Sequence, residues 1–253
     1  MKKRISYQWI YPIITAVLFF AVWMIVTAAV GKEYIIPGPA ATFRALGQIL
    51  KTDFFRILLS TFLRAFIAFL TSFALAAAVC AISVFVKGFH KIISPIVTFL
   101  RATPTMSVIM ICLIWLDGNA APIVIASLVL FPMLYAAFYA SYQGVDGDLV
   151  ELATLYRVSP LKRITGLYLP CMLPSVLSAS KSNIGLAVKL TVAAEVMSQT
   201  GRDIGIGISM QMTRYTLDTA GLLAWTIVAV LLAAFLETCV FLIAKITIKG
   251  VKK

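Results

Sequence analysis

Long apolar runs separated by short polar stretches dominate this sequence and restrict it to folds that a lipid bilayer can hold. Each of the six runs is long enough for an α-helix to cross the hydrocarbon core, which takes about 20 residues. Backbone polar groups inside a bilayer must be satisfied within the segment, which favours helices. We therefore expect an all-α integral membrane protein with about six transmembrane helices, forming one polytopic domain over residues 1–253. The runs are Ile10–Val30, Ile57–Val86, Ile92–Leu116, Pro122–Tyr142, Cys171–Met197 and Leu222–Ile248.

The composition leaves little material for a soluble domain. Of the 253 residues, 61% are hydrophobic and 13% are charged, whereas soluble domains average about 45–50% apolar and about 25% charged residues. The four cysteines show no metal-ligand spacing and His90 is the single histidine, so we expect no metal site and no cofactor. The sequence lacks a G-x-x-x-x-G-K-[ST] phosphate loop and the H-E-x-x-H and G-x-S-x-G motifs, so we do not expect an enzyme.

The net charge of +12 indicates how the chain is oriented in the membrane. If the N-terminus is cytoplasmic, twelve basic residues fall on cytoplasmic segments and six fall on outer segments. Basic residues concentrate on the cytoplasmic side of membrane proteins, so this distribution predicts that both termini are cytoplasmic. The basic residues therefore report topology, and we expect no nucleic-acid partner.

A polar segment from Asp146 to Pro170 separates the fourth and fifth apolar runs, and its pattern predicts two short helices joined by a turn. Asp146 and Asp148 suit the start of the first helix because its dipole favours anions there, and Arg157 suits its end. Ser159 and Pro160 are typical of an N-cap and a first helical position. The apolar residues at helical spacing on the first helix are Leu149, Leu152, Leu155 and Tyr156.

This segment reads E-L-A-x-x-x-R-x₉-L-x-L-P from Glu151 onwards. It resembles the cytoplasmic loop by which permease subunits of ABC-type importers dock onto their ATPase, with the pattern E-A-A-x-x-x-G-x₉-I-x-L-P. Leu152 replaces the first Ala, Leu167 replaces Ile, and Arg157 stands where the family has Gly. The residues that match in register are Glu151, Ala153, Leu169 and Pro170.

The replacement at Arg157 affects the expected turn. The family's Gly suits a tight turn with positive φ, where a residue with a side chain costs about 1–2 kcal/mol. We therefore expect the turn either to shift by one residue or to use a different geometry. The resemblance implies that ATPase coupling falls to Glu151, Leu152, Ala153, Leu155, Arg157, Leu169 and Pro170.

Further short motifs extend the resemblance over nearly the whole chain and are similar to permeases that serve nitrate, sulfonates, taurine and thiamine precursors. They are Ile36-Pro37-x-Pro39, Ser60-x-x-x-Arg64, Arg101-x-x-Pro104, Phe131-Pro132 and Ala194-Glu195. Membership of this branch implies a type I importer fold in a bacterial plasma membrane, surrounded by lipid. It also implies a permease homodimer around a central path, two ATPase subunits and an extracytoplasmic solute-binding protein.

Polar residues inside the apolar runs are candidates for the translocation path, since charged groups in a membrane normally face protein or water. Pro104 predicts either a simple kink or a break that lines the path. Lys181 and Lys189 lie about 80° apart around a helix, so both can face the same side of the fifth run. Two cations beside a path suit an anionic cargo. Arg64 is expected to extend its charge towards the membrane surface. The candidate path residues are Arg101, Pro104, Lys181, Asn183, Lys189 and Glu195.

Two alternatives remain open at this stage. Lys189 can instead pair with an acidic residue such as Glu237, or extend its charge to the surface. The intramembrane residues Lys181, Lys189, Glu195 and Glu237 can also serve an ion-coupled secondary transporter. The docking loop, and the lack of a visible inverted repeat, favour the importer over that alternative.

Overall fold

The computed structural model describes residues 10–116, 118, 120–198 and 204–251, and these residues form helices without any strand. A π-helix over Ile164–Tyr168 lies between α8 and α9. The α-helices are α1 Ile10–Val30, α2 Pro39–Ile49, α3 Phe54–Phe85, α4 Phe89–Ala102, α5 Thr105–Trp115, α6 Ala120–Gln143, α7 Gly147–Leu155, α8 Pro160–Arg163, α9 Leu169–Met197, α10 Ile206–Tyr215 and α11 Thr219–Val251. The predicted all-α class is confirmed.

The predicted apolar runs are largely helical, but they differ in how well they suit a membrane. In the described part of the chain, four helices are long and apolar enough to cross a bilayer, namely α1, α3, α6 and α11. A fifth span results if the bent pair α4 and α5 counts as one. Helix α9 is long enough at 29 residues, but polar residues such as Lys181 and Asn183 lower its hydropathy. The number of six crossings stays a prediction.

The third predicted span is broken rather than kinked. Helix α4 ends at Ala102, α5 begins at Thr105, and the two helices are bent by 95°. Pro104 lacks an N–H group, and its ring disfavours helical backbone at the preceding residue. Thr103 accordingly has φ −67° and ψ 128°, which is extended backbone. Of the two alternatives left open for Pro104, the structure therefore shows a break and not a simple kink.

Residue contacts divide the chain into two compact units. The first unit comprises Met1–Phe55 and Ser209–Val228. Within it, the indole N–H of Trp23 donates to the Pro37 carbonyl oxygen at 3.0 Å. The hydroxyl of Thr219 donates to the Tyr34 carbonyl oxygen at 3.1 Å. These bonds link α1 and the start of α11 to the segment that precedes α2.

The second unit comprises Arg56–Ile208 and Ala229–Lys253, and its core lies where α6 packs along α9. Small residues such as Ala126 and Ala187 are fully buried in this unit. Small residues allow membrane helices to approach closely. The packing leaves α9 with one buried side and one exposed side, which decides the position of its polar residues.

Candidate coupling hairpin and translocation face

The coupling hairpin, residues Asp146–Tyr168, begins with a capped helix. Asp146 is the N-cap of α7, and its carboxylate accepts a hydrogen bond from the backbone N–H of Asp148 at 3.0 Å. Asp148 lies in the first turn, where the helix dipole favours an anion. The local sequence thus sets the start of α7 without help from the rest of the chain.

The hairpin presents an apolar surface to its surroundings. The side chains of Leu152 and Leu155 are 51% and 76% exposed, and Tyr156 is 77% exposed. Glu151 beside them is also exposed, whereas Ala153 is half-buried. Large apolar side chains exposed on a polar segment outside the apolar spans are typical of a protein-binding surface. This surface coincides with the residues that the resemblance assigns to ATPase docking.

The turn after α7 is a Schellman motif. The N–H of Arg157 donates to the Thr154 carbonyl oxygen and the N–H of Val158 donates to the Ala153 carbonyl oxygen, both at 3.0 Å. Arg157 has φ +51°, the left-handed conformation for which helix ends prefer glycine. The turn neither shifts nor adopts a different geometry, so both expected alternatives are wrong. Arg157 takes the place of the family's Gly and accepts the strain, about 1–2 kcal/mol.

Arg163 fastens the two arms of the hairpin together. Its Nη2 atom donates to the carbonyl oxygens of Ala153 at 3.3 Å and Val158 at 3.4 Å. The Ala153 carbonyl belongs to the last turn of α7, where the helix dipole favours a cation, and the Val158 carbonyl belongs to the turn that follows. Hydrogen bonds from one side chain thus connect the second arm of the hairpin to the first arm and to the turn.

The second arm is not a separate short helix, in contrast to the predicted pair of short helices, because it continues past Pro170 into the membrane span. Helix α8, the π-helix and α9 follow one another without a break, and Leu169 donates its N–H to the Ile164 carbonyl oxygen. Proline lacks a donor but is tolerated in the first turn of an α-helix, where Pro170 stands. The extra residue of the π-turn lets the chain stay helical into the membrane span, with Leu169 exposed at the junction.

Aromatic rings connect the hairpin to α6 and α4. The centre of the Tyr168 ring lies 5.2 Å from the centre of the Tyr142 ring, and the centres of the Tyr142 and Tyr139 rings are 5.9 Å apart. The His90 ring stacks on Tyr139 at 3.6 Å, and its Nδ1 atom lies 2.9 Å from the Tyr135 hydroxyl. Sequence reasoning did not find this series. The helical spacing of Tyr135, Tyr139 and Tyr142 on α6 was the available signal.

Glu195, a predicted path residue, lies instead in a buried ion pair. Its carboxylate is 2.8 Å from Nη1 of Arg64, and the two side chains are 0% and 6% exposed. The Thr61 hydroxyl lies 3.0 Å from both carboxylate oxygens, and the N–H of Gly207 donates to one of them at 2.9 Å. The expectation that Arg64 extends its charge to the membrane surface is wrong.

The same cluster holds the segment that leads into α10. The N–H of Ile206 donates to the Thr61 hydroxyl at 2.8 Å. Ser60 and Arg64 both donate to the Ile204 carbonyl oxygen, at 2.7 and 2.9 Å. A Cβ atom added to Gly205 would lie 2.6 Å from the Glu195 carboxyl carbon, so this segment requires glycine. The segment before α10 is thus fixed at Ile204–Gly207.

The remaining path candidates fall into two groups. Asn183 is buried and donates its amide to the Ala179 carbonyl oxygen of its own helix at 2.8 Å. Arg101 and Pro104 are exposed at the break between α4 and α5, and Lys181 and Lys189 are exposed on α9. Within the described residues, no group of three His, Cys, Asp or Glu side chains can hold a metal ion.

Helix α9 carries a polar face opposite its packed side. The exposed polar residues that define this face are Ser175, Ser178, Lys181, Ser182 and Lys189. The Lys181 ammonium lies 5.1 Å from the centre of the Phe241 ring of α11, a cation–π contact. Lys189 and Glu237 do not form an ion pair among the described residues, so this alternative for Lys189 is not seen in this conformation.

Comparison with known proteins agrees with the resemblance to importer permeases. The family described as "Binding-protein-dependent transport system inner membrane component" matches residues 74–253. The chain belongs to this family. It is therefore a multi-pass membrane protein and a transport permease, as the resemblance of its coupling segment predicted.

Curated relatives in this family are distant but align over most of the chain. The aliphatic sulfonates transport permease protein SsuC of Bacillus subtilis is 25% identical over 93% of this chain and 86% of its own length. An ABC transporter permease protein of Haemophilus influenzae is 24% identical over 79% of this chain and 80% of its own length.

Solved structures show the same fold. A chain of the MetNI methionine ABC transporter, in an inward-facing conformation, superposes with a TM-score of 0.64 at 16% identity. The match covers 78% of this chain and 95% of that one. At this level of identity the comparison establishes the type I importer permease fold and carries no information on cargo.

The buried ion pair predicts a large effect of removing one partner. Glu195→Gln leaves the Arg64 guanidinium buried without its counter-charge, which we expect to destabilise the protein by about 3–5 kcal/mol. The measurement is thermal unfolding of the purified protein in lipid nanodiscs. The control Glu33→Gln removes a carboxylate that is exposed in the first unit and should melt like the unchanged protein.

A double variant tests the cause of that loss. Arg64→Met with Glu195→Leu removes both charges, and should recover more than half of the stability lost by Glu195→Gln. A double variant no more stable than the single one would show that the effect does not come from the uncompensated charge.

The strained turn predicts a stabilising substitution. Arg157→Gly relieves the positive φ and should stabilise the turn by about 1 kcal/mol, whereas Arg157→Val should weaken it because a β-branched residue tolerates this conformation poorly. Hydrogen exchange of the Val158 amide, which closes the turn, measures both effects. Slower exchange in the valine variant than in the glycine variant would contradict the assignment of strain to this residue.

Proposed function

We propose that this chain forms the translocation path of an ATP-driven importer for a small solute with an anionic group. In this proposal a separate ATPase docks on the coupling hairpin and the polar face of α9 borders the path. The observation that carries the proposal is the exposure of Lys181 and Lys189 on a helix of membrane-spanning length.

Charge in the hydrocarbon core limits what the polar face can contact. Insertion measurements show that a lysine at the centre of a membrane helix raises the free energy of insertion by about 2.5–3.5 kcal/mol. Lys181 and Lys189 lie in the middle of α9, together with exposed Ser178 and Ser182. Such a face cannot lie against lipid tails at low free energy. It is therefore placed against water, as a transport path requires, or against a second protein.

Two lysines on the wall of a path favour an anionic cargo. Cations that line a narrow passage raise the local concentration of anions and assist their entry. The relative in Bacillus subtilis is named for aliphatic sulfonates transport, which supports a sulfonate as the anionic group. The cargo class is thus inferred from the charge of the path and agrees with the name of a relative.

The hairpin supports a partner that hydrolyses ATP. Its exposed apolar side chains, Leu152 and Leu155, need a protein surface to cover them, and the chain itself has no phosphate loop. By resemblance to the importer family, we propose two ATPase subunits, a second copy of this permease and an extracytoplasmic solute-binding protein. The distribution of basic residues supports a cytoplasmic hairpin and cytoplasmic termini.

An ion-coupled secondary transporter is the alternative function, and one of the four side chains suggested for ion coupling is unsuited to that role. Glu195 is fully buried against Arg64, so its carboxylate is not available to bind and release a coupling ion in this conformation. The hairpin also has no role in such a mechanism. The importer explains both the exposed hairpin and the polar face.

Docking of the ATPase predicts the effect of changing the hairpin surface. Glu151→Lys and Leu155→Asp alter exposed side chains, so the protein should insert and melt normally. Each should weaken ATPase association by about 2 kcal/mol or more, the size of an interface hot spot, and lower transport in parallel. The measurement is copurification of the ATPase in mild detergent, with Glu33→Lys as the matched control. Normal association and uptake in both hairpin variants would refute this docking surface.

The polar face predicts a selective loss of transport when one charge is removed. Lys189→Met keeps the length of the side chain, should not impair membrane insertion, and should lower uptake of ethanesulfonate about tenfold because an attractive charge is lost. Uptake is measured in cells that express the permease with its ATPase and solute-binding protein. Lys51→Met, an exposed lysine between α2 and α3, is the control. Undiminished uptake by the Lys189 variant would remove Lys189 from the path.

A further inference from the structure

Glu237 of α11 occupies a gap in the surface of α9. It is half-buried, and its side chain lies directly on Gly185. A Cβ atom added to Gly185 would collide with the Glu237 Oε1 atom and lie 2.9 Å from its carboxyl carbon. The carboxylate therefore fills the space that a side chain at position 185 would take.

This gap lies between the two lysines of the polar face. Lys181 and Lys189 are four residues before and four residues after Gly185, so each lies one turn away, a rise of about 6 Å along the helix. The carboxylate of Glu237 thus joins the polar face as its negative member. Along the axis of α9, the negative charge of Glu237 from α11 therefore lies between the positive charges of Lys181 and Lys189.

The carboxylate is not held in a structural ion pair. Among the described residues, neither Lys181 nor Lys189 lies within 4.0 Å of it, and the Lys181 ammonium lies over the Phe241 ring instead. The same chain closes a structural pair at 2.8 Å between Arg64 and Glu195. An intramembrane carboxylate without such a partner is costly and points to a role in function.

We infer that Glu237 is a specificity-determining residue, and that the cargo is a zwitterion with a cationic group beside its anionic group. This inference rests on the proposed function, in which the lysines attract the anionic group. A purely anionic solute on the polar face would be repelled by the nearby carboxylate. An ammonium group on the solute turns this repulsion into an attraction, so the carboxylate selects against simple anions.

The test uses two sulfonates that differ by one ammonium group, 3-aminopropanesulfonate and propanesulfonate. Binding of each is measured by equilibrium dialysis on the full-length permease, purified with its ATPase in lipid nanodiscs. The solute-binding protein is left out because it would impose its own preference. The unchanged permease should bind the aminosulfonate about tenfold more tightly than propanesulfonate.

Two variants remove the effect of the carboxylate in different ways. Glu237→Gln removes its charge, and Gly185→Ala keeps the charge but displaces the carboxylate from its place. Both should reduce the preference for the aminosulfonate at least about fivefold, mainly by strengthening binding of propanesulfonate. The control Glu33→Gln removes a negative charge elsewhere and should leave the preference unchanged. Thermal unfolding of each variant confirms that the fold is retained.

The outcomes separate this inference from the proposed function. If Glu237→Gln leaves the preference unchanged while Lys189→Met weakens binding of both sulfonates, the zwitterion inference is overturned and the path assignment stands. If Lys189→Met has no effect on either sulfonate, the path assignment fails as well. Absence of binding of both probes to the unchanged permease would also overturn the inference.

Discussion

The buried ion pair between Arg64 and Glu195 joins parts of the chain that are 131 residues apart. It connects α3 to α9, and through Gly207 and Ile204 it fixes the start of α10. Breaking such a pair leaves a charge without compensation at low dielectric, so its partners depend on each other. The orientation of α9, and with it the side on which Lys181 and Lys189 are exposed, is set in part by this contact.

The chain treats its intramembrane charges in two different ways. Both carboxylate oxygens of Glu195 are satisfied by Arg64, Thr61 and the Gly207 N–H, and the side chain is fully buried. Glu237 lies against Gly185, between Lys181 and Lys189 of the exposed polar face, and forms an ion pair with neither. A fully satisfied buried network rigidifies a structure, whereas exposed charges on a membrane helix are available to bind a solute. The contrast separates the scaffold from the candidate path.

The sequence predicted those features that depend on local patterns. Apolar runs longer than the bilayer core located the helices, and Asp146 marked the start of α7 because capping is a local interaction. The pairing of Arg64 with Glu195 was missed because no local pattern reports a contact over such a separation. The continuous path from α8 through the π-helix into α9 was not predicted, because the sequence pattern indicated two short helices and carries no signal for a π-turn. Arg157 marked the right turn, but its positive φ followed only from the two hydrogen bonds that close that turn.

The π-helix at Ile164–Tyr168 sets the phase between two surfaces that lie far apart along the chain. One π-turn contains one residue more than an α-turn. Loss of a single residue there would rotate the hairpin by about 100° around the axis of α9 and shift it by about 1.5 Å. Every membrane helix would keep its sequence and length. The direction in which the hairpin faces a partner is thus encoded separately from the membrane domain, in a five-residue segment that can change without altering the path.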